Sequence, residues 1–248
     1  IMILLASLLF GFPGLVMMLF MQWATSQSYA TESIDKHGIS HVGASRLGGA
    51  AIFAFSVILF IIGFSSGVKP INSPDIPIMG WITVFTCMFI GLIDDLKSNF
   101  LSPSVRIFLT IFIFALCLGL WPSLIPGDLG LPVIDFLLSV PILGWLITIV
   151  FCIGFVNAVN MADGANGLIS GTLTFAFTLF FLETGFFLYA VLVTTCGLFT
   201  IFNVISGRLF LGDAGAYGLG SVLALAGLDL FSKEIFSASF LAVLFAYP

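Results

Sequence analysis

Apolar residues in this chain run in blocks long enough to cross a bilayer, broken by short polar stretches. A helix needs about 20 apolar residues to span the hydrocarbon core. That ruler places nine segments: Ile1–Trp23, Leu47–Phe64, Ile78–Ile93, Val105–Trp121, Val133–Val156, Thr172–Leu182, Phe186–Val204, Tyr217–Leu230 and Ile235–Pro248. Barrel strands are excluded, because they show about 10 residues of alternating hydrophobicity. Pro141 predicts a kink in the fifth segment, and only Glu183–Gly185 parts the sixth from the seventh. The expected fold is all-α, a polytopic transmembrane helical bundle forming one integral-membrane domain over residues 1–248. Ile1–Trp23 reads as a membrane helix and not a leader, since it lacks a basic flank and a small-residue cleavage site.

Composition removes the alternatives to a membrane setting. With 60% hydrophobic and 8% charged residues and a mean hydropathy of +1.24, a soluble globule has too few polar groups to cover its surface. A net charge of −5 leaves no basic patch able to neutralise a phosphate polymer, which excludes nucleic acid as a partner. Cys87, Cys117, Cys152 and Cys196 all lie in apolar stretches without metal-ligand spacing, and read as small buried hydrophobes. The chain opens without methionine and stops at Pro248 inside an apolar run, which reads as a C-terminally truncated fragment.

Charge also sets an orientation. Lys36, Arg46, Lys97, Arg106 and Arg208 fall in the odd-numbered connections, against Lys69 and Lys233 in the even ones. The positive-inside rule then puts the odd connections in the cytoplasm. These same connections carry the polar clusters, so any chemistry faces that side.

Asp94 and Asp95 follow Gly91-Leu92-Ile93 with no spacer, placing adjacent carboxylates at the membrane boundary. Like charges there repel unless a cation or ordered donors offset them, and a helix C-terminus disfavours acids further. The simpler reading is a solvated helix end paired with Lys97 or Arg106. Asn157, Asn160, Asp163 and Asn166 recur every third residue beside Gly164 and Gly167. Such amides suit a nucleobase or ribose, or the outer shell of a metal; a capping loop between helices is the plainer alternative. In Arg208-Leu209-Phe210-Leu211-Gly212-Asp213, the glycine-flanked carboxylate can ligate Mg²⁺ and the arginine can pair with phosphate. Arg208 is equally a positive-inside anchor, and Phe210 a packing residue. Lys36, His37, His41 and Arg46 put four cationic or titratable groups within 11 residues, enough to hold a diphosphate or simply to mark topology.

Taken in order, S-R-L-G-G, G-L-I-D-D, N-A-V-N-M-A-D-G-A-N-G-L and R-L-F-L-G-D-A-G resemble the motifs of the polyprenyl-phosphate N-acetylhexosamine-1-phosphate transferases, the MraY/WecA type of glycosyltransferase family 4. Members move a sugar-1-phosphate from a UDP-sugar to a membrane polyprenyl phosphate and release UMP. The resemblance implies Asp94 and Asp95 as the paired acids, Asn160 and Asp163 in the nucleotide site, Asp213 as the Mg²⁺ ligand and Phe210 at the uracil. Mg²⁺ is the implied cofactor, with Mn²⁺ as a substitute. The implied partners are a UDP-sugar, polyprenyl (undecaprenyl) phosphate and the lipid bilayer, with a homodimer as a compatible assembly. The implied location is the bacterial inner (plasma) membrane, with the active site facing the cytoplasm. Arg46 before Leu47-Gly48-Gly49 matches the hexosamine branch, which favours O-antigen, teichoic or similar glycan initiation over peptidoglycan synthesis. The chain departs from the family at Asn166, where an aspartate is common, and at Gly43, Ala44 and Ser45, where prolines are usual. His41 is offset by one position, and the family's histidine-rich loop lies past Pro248.

The implied mechanism is direct in-line attack, with Asp94 as base, Asp95 supporting it, Asp213 on the metal and Arg208 or Arg46 on phosphate. A secondary transporter would instead place polar groups at mid-membrane and repeat its motifs between halves, and this sequence does neither. An inactive family remnant is the third reading. The orientation is directly testable: a cysteine at Ser98 should resist an impermeant thiol reagent added outside intact cells, while one at Ser73 should react. The opposite labelling pattern inverts the topology.

Overall fold

A computed structural model describes residues 11–27, 44–65, 76–97 and 100–245 of the chain. Ten α-helices make up these residues: α1 (Phe12–Ala24), α2 (Gly48–Ser65), α3 (Ile78–Leu96), α4 (Pro103–Leu120), α5 (Pro132–Ser139), α6 (Pro141–Ala162), α7 (Leu168–Thr184), α8 (Phe187–Ser206), α9 (Gly212–Ser232) and α10 (Ala238–Phe245). Five of them, α3, α4, α6, α8 and α9, are long and apolar enough to cross a membrane; α1, α2 and α7 are apolar but shorter over their described parts. The only β-type pairing among the described residues is a parallel bridge between Ser45 and Leu209. The all-α membrane bundle read from the sequence is therefore the fold observed.

One segment differs from its expected form. The fifth apolar run is two helices and not one kinked helix. Pro141 occupies the start of α6, where its missing N–H costs nothing, and Val140 is extended between α5 and α6. Proline here begins a helix, and α5 lies as a separate short piece before it.

The core is organised around α9. Its side chains from Ala214 to Leu230 are buried throughout, and α3 is its main neighbour, with α6 and α2 also against it. Small residues make this possible. A Cβ on Gly49 would overlap the Gly215 backbone nitrogen, and one on Gly91 would overlap the Asp213 carbonyl. The backbones of α2 and α3 therefore touch the first turns of α9 directly, which is how membrane helices gain contact when no hydrophobic gradient drives them together. Peripheral helices show the opposite character. Phe108, Phe112 and Leu120 on α4, and Ile142 and Val150 on α6, are exposed, as a lipid-facing surface requires. All four cysteines are buried and unpaired with one another, in agreement with their reading as core residues.

The close approach yields a paired test. Gly49→Val should lower stability by about 1–3 kcal/mol through overpacking, or several degrees in a detergent melt at roughly 2–4 °C per kcal/mol. Gly171→Ala, whose new methyl meets only Thr200 Cγ2 at 3.9 Å, should leave the melting temperature unchanged or raised. Equal losses from both would remove the backbone-contact argument.

Candidate active site

The last turn of α3 supplies Asp94 and Asp95, 5% and 1% exposed. Acids at a helix C-terminus face unsatisfied carbonyls, so their burial needs compensation from elsewhere. For Asp95 the compensation is the start of α9. Asp213 N–H donates to Asp95 Oδ1 at 3.0 Å, and Ala214 N–H donates to Oδ2 at 2.8 Å. The carboxylate thus takes two of the orphan donors that every helix N-terminus presents. Gly212 makes room for this contact: its φ is +73°, and a Cβ there would overlap the Arg46 carbonyl and approach Asp95 Oδ2 to 2.7 Å. Only glycine combines that backbone conformation with that proximity.

Asp94 points elsewhere. Its Oδ2 accepts from Arg106 Nη1 at 3.2 Å, and the same nitrogen donates to Asp213 Oδ2 at 2.7 Å. Leu101 N–H stands at 3.5 Å from Asp94 Oδ1. Arg106 lies in the first turn of α4, whose start is fixed by Pro103 and by Ser102 Oγ accepting from Val105 N–H. One guanidinium therefore draws together carboxylates from α3 and α9. The pairing of Asp94 with Arg106 expected for a plain helix end does occur, but in a partly buried three-residue cluster. Lys97, the other expected partner, sits over the Phe100 ring at 5.2 Å.

A second polar network lies beside the first. Asn203, 3% exposed on α8, donates through Nδ2 to the Leu209 carbonyl at 2.7 Å and to Asn166 Oδ1 at 3.2 Å, and accepts from Gly167 N–H at 2.7 Å. One amide thereby ties the Asn166–Gly167 turn to the segment entering α9. That segment is fixed on its other side too: Ser45 N–H donates to the Arg208 carbonyl at 2.9 Å and Phe210 N–H to the Ser45 carbonyl at 2.7 Å. The carbonyls of Phe210 and Leu211 accept from Gly48 and Gly49 N–H at 3.0 and 2.7 Å, capping α2. The Tyr217 hydroxyl, one turn into α9, donates to Asn157 Oδ1 on α6 at 3.2 Å. The S-R-L-G-G, N-A-V-N and R-L-F-L-G-D motifs thus become neighbours through backbone and amide bonds.

Asn160 is half-buried in the last turn of α6, Asp163 is half-buried just past its end, and Asn166 is exposed in the following turn. Phe210 and Arg46 are half-buried, and Arg208 is exposed. Lys36, His37 and His41 lie outside the described residues. Two residues now join the site with roles the sequence reading did not give them. From the sequence, Arg106 reads only as a topology marker or partner of Asp94. Asn203 lies outside the sequence motifs, although a lone amide near the end of an apolar segment is the kind of intramembrane polar group that signals function.

Among the described residues no three histidine, cysteine or acidic side chains gather into a metal cluster. The donor chemistry nevertheless suits Mg²⁺, which takes hard oxygen ligands and is held by one or two carboxylates, completing its shell with water and substrate phosphates. Asp94 and Asp213 supply such a pair, already converging on one cation, the guanidinium.

Residues 77–231 match the sequence model described as glycosyl transferase family 4. The chain belongs to this family. The matched stretch runs from just before α3 to near the end of α9 and contains Asp94, Asp95, Arg106, Asn203 and Asp213 together. Relatives include three proteins named phospho-N-acetylmuramoyl-pentapeptide-transferase. That of Gloeothece citriformis is 29% identical over 245 residues, covering 88% of this chain and 62% of its own. Those of two Synechococcus strains, JA-2-3B'a(2-13) and JA-3-3Ab, are each 30% identical, covering 94% and 98% of this chain and 67% and 71% of their own. The chain thus spans about six to seven tenths of the length of these relatives.

Within this candidate site the two adjacent acids should separate by stability. Asp95→Ala strands two N–H donors at the start of α9, and should cost about 1–3 kcal/mol. Asp94→Ala leaves Arg106 paired with Asp213 and should cost less. Thermal melts of both variants compare them; a larger loss for Asp94→Ala would contradict the capping role of Asp95.

Proposed function

We propose that the protein transfers N-acetylhexosamine-1-phosphate from a UDP-sugar to polyprenyl phosphate at the cytoplasmic face of the membrane. The observation that carries this reading is the convergence of Asp94 and Asp213 on one cation, beside the loops bearing Asn166 and Phe210, in a chain of glycosyl transferase family 4. An oxygen of the lipid phosphate attacks the sugar-bearing phosphorus of the donor; the bond from that phosphorus to the bridging oxygen breaks, and UMP departs. Bound Mg²⁺ would supply charge neutralisation for the phosphates.

The chain's residues divide the remaining work. Asp94 and Asp213 hold the cation. Asp94 also takes the residual proton of the lipid phosphate, whose second pKa lies near 6. Asp95 fixes the start of α9 and so the place of Asp213. Arg46 and Arg208 bind phosphate. Asn160, Asp163 and Asn166 hydrogen-bond the nucleoside, and Phe210 stacks on uracil, with Asn203 holding the Asn166 turn against the Phe210 segment. Lys36, His37 and His41 are the candidate groups for binding the diphosphate.

Sugar choice has two readings with separate support. Arg46 before Leu47-Gly48-Gly49 favours a hexosamine donor and a glycan such as O-antigen. The names of the relatives favour a muramoyl-pentapeptide donor and cell-wall synthesis. Assays of the full-length membrane protein with polyprenyl phosphate, Mg²⁺ and either UDP-GlcNAc or UDP-MurNAc-pentapeptide distinguish them by which donor yields UMP. Release from neither donor would remove the transferase reading. With the active donor, Asp213→Asn should lower the rate by roughly 10²-fold or more, because it removes a formal charge from a hard-cation site. Asn166→Asp should change nucleotide affinity and leave the Mg²⁺ dependence intact. An Asp213→Asn variant with the parent rate and Mg²⁺ response would take that aspartate out of the metal site.

A further inference from the structure

Arg106 is placed where a cation belongs, and it is placed loosely. A single nitrogen, Nη1, makes both contacts, to Asp94 Oδ2 at 3.2 Å and to Asp213 Oδ2 at 2.7 Å. A guanidinium fixed for good on carboxylates usually presents two parallel N–H groups to one partner. Here Nε is buried with no hydrogen-bond partner, so a strong donor is left unused. The arginine stands on the first turn of α4, a helix whose outer face is exposed, and its side chain is 18% exposed. Its long stem therefore has a route outward. Charge points the same way: one guanidinium bridges two carboxylates from different helices, with the Arg46 charge also acting on Asp213, and a divalent ion would set twice the charge of the guanidinium on the same oxygens.

We propose that Arg106 is the resident counter-cation of the metal-free site, holding Asp94 and Asp213 in register until a divalent ion displaces it. This rests on the reading of these two aspartates as metal ligands. Occupation of the carboxylates is then exclusive, and the guanidinium competes with the metal for the same oxygens. Competition of this kind lowers apparent metal affinity in the free protein and protects the bundle while the metal is away.

Mn²⁺ binding to the full-length protein in detergent, followed by electron paramagnetic resonance without substrate, tests the competition. Arg106→Gln should bind Mn²⁺ roughly tenfold more tightly than the parent protein, Arg106→Lys should stay near the parent affinity, and Asp213→Asn should lose binding. The Arg106→Gln protein should also melt at a lower temperature without divalent ions and recover more than the parent when Mg²⁺ is added. If Asp213→Asn loses binding while Arg106→Gln binds as the parent does or more weakly, the displacement is wrong and the metal site stands. If the parent protein does not bind Mn²⁺ at all, both the metal reading and the displacement fall. A measurement on the unaltered chain keeps the test independent of variant folding. Phenylglyoxal modification of Arg106, followed by peptide mass spectrometry, should accelerate several-fold with saturating Mg²⁺ while that of the exposed Arg208 does not. A rate for Arg106 that stays constant or falls overturns the proposal.

Discussion

Everything at the polar end of this bundle hangs on the start of α9, where backbone N–H groups need acceptors away from bulk water. Asp95 provides them from the opposite kind of helix terminus, the last turn of α3. Two unfavourable ends thereby cancel. An acid disfavoured where it sits along its own helix is favoured by the dipole of the next one. The contact also brings the two helices close enough that Gly91 and the Asp213 backbone leave no room for a side chain between them. Packing deeper in the membrane, where α9 is buried throughout, follows from that junction.

The same accounting of backbone groups explains why distant motifs assemble. The first N–H groups of α2, those of Gly48 and Gly49, are taken by the Phe210 and Leu211 carbonyls. The entry to α7 is held by Asn203, which simultaneously binds the Leu209 carbonyl. Residues 207–211 are thus shared by three helix ends and form the hinge on which α2, α7 and α9 meet. A site built from helix termini gathers unsatisfied donors and acceptors without burying them in hydrocarbon. It also puts glycine where the backbone must pass closely, as at Gly212.

Much of this was legible in the sequence, and the limits have physical causes. The apolar runs located the membrane helices because bilayer thickness fixes their length. Pro141 was misjudged because its effect depends on position, since an interior proline bends a helix whereas a first-turn proline starts one. Adjacent Asp94 and Asp95 announced a cost that some partner must meet. The partner of Asp95 was hidden, because a backbone N–H 118 residues away carries no sequence signature. Arg106 was visible as a charge but not as a bridge, since its second carboxylate is 107 residues distant. Asn203 gave a signal, an amide in an apolar run, that a search for clustered polar residues passes over. Its importance is geometric, one side chain meeting three groups from two different connections.

The adjacency of the two aspartates, finally, follows from what each must face. Successive residues on a helix project about 100° apart, so neighbouring carboxylates cannot serve one ligand equally. Asp95 turns to the backbone of α9 and Asp94 to the cleft shared with Arg106 and Asp213. The first aspartate of the pair is free to meet a cation because the second is committed to the scaffold. Since Asp95 binds the N–H of Asp213 itself, the bond that caps α9 also sets where the opposing carboxylate stands. The charge pair is therefore positioned by the fold before any ligand arrives, and substrate binding has no need to assemble it. Carboxylates fixed in this way need little rearrangement to meet a positive charge brought between them, which is where preorganised charges act most strongly.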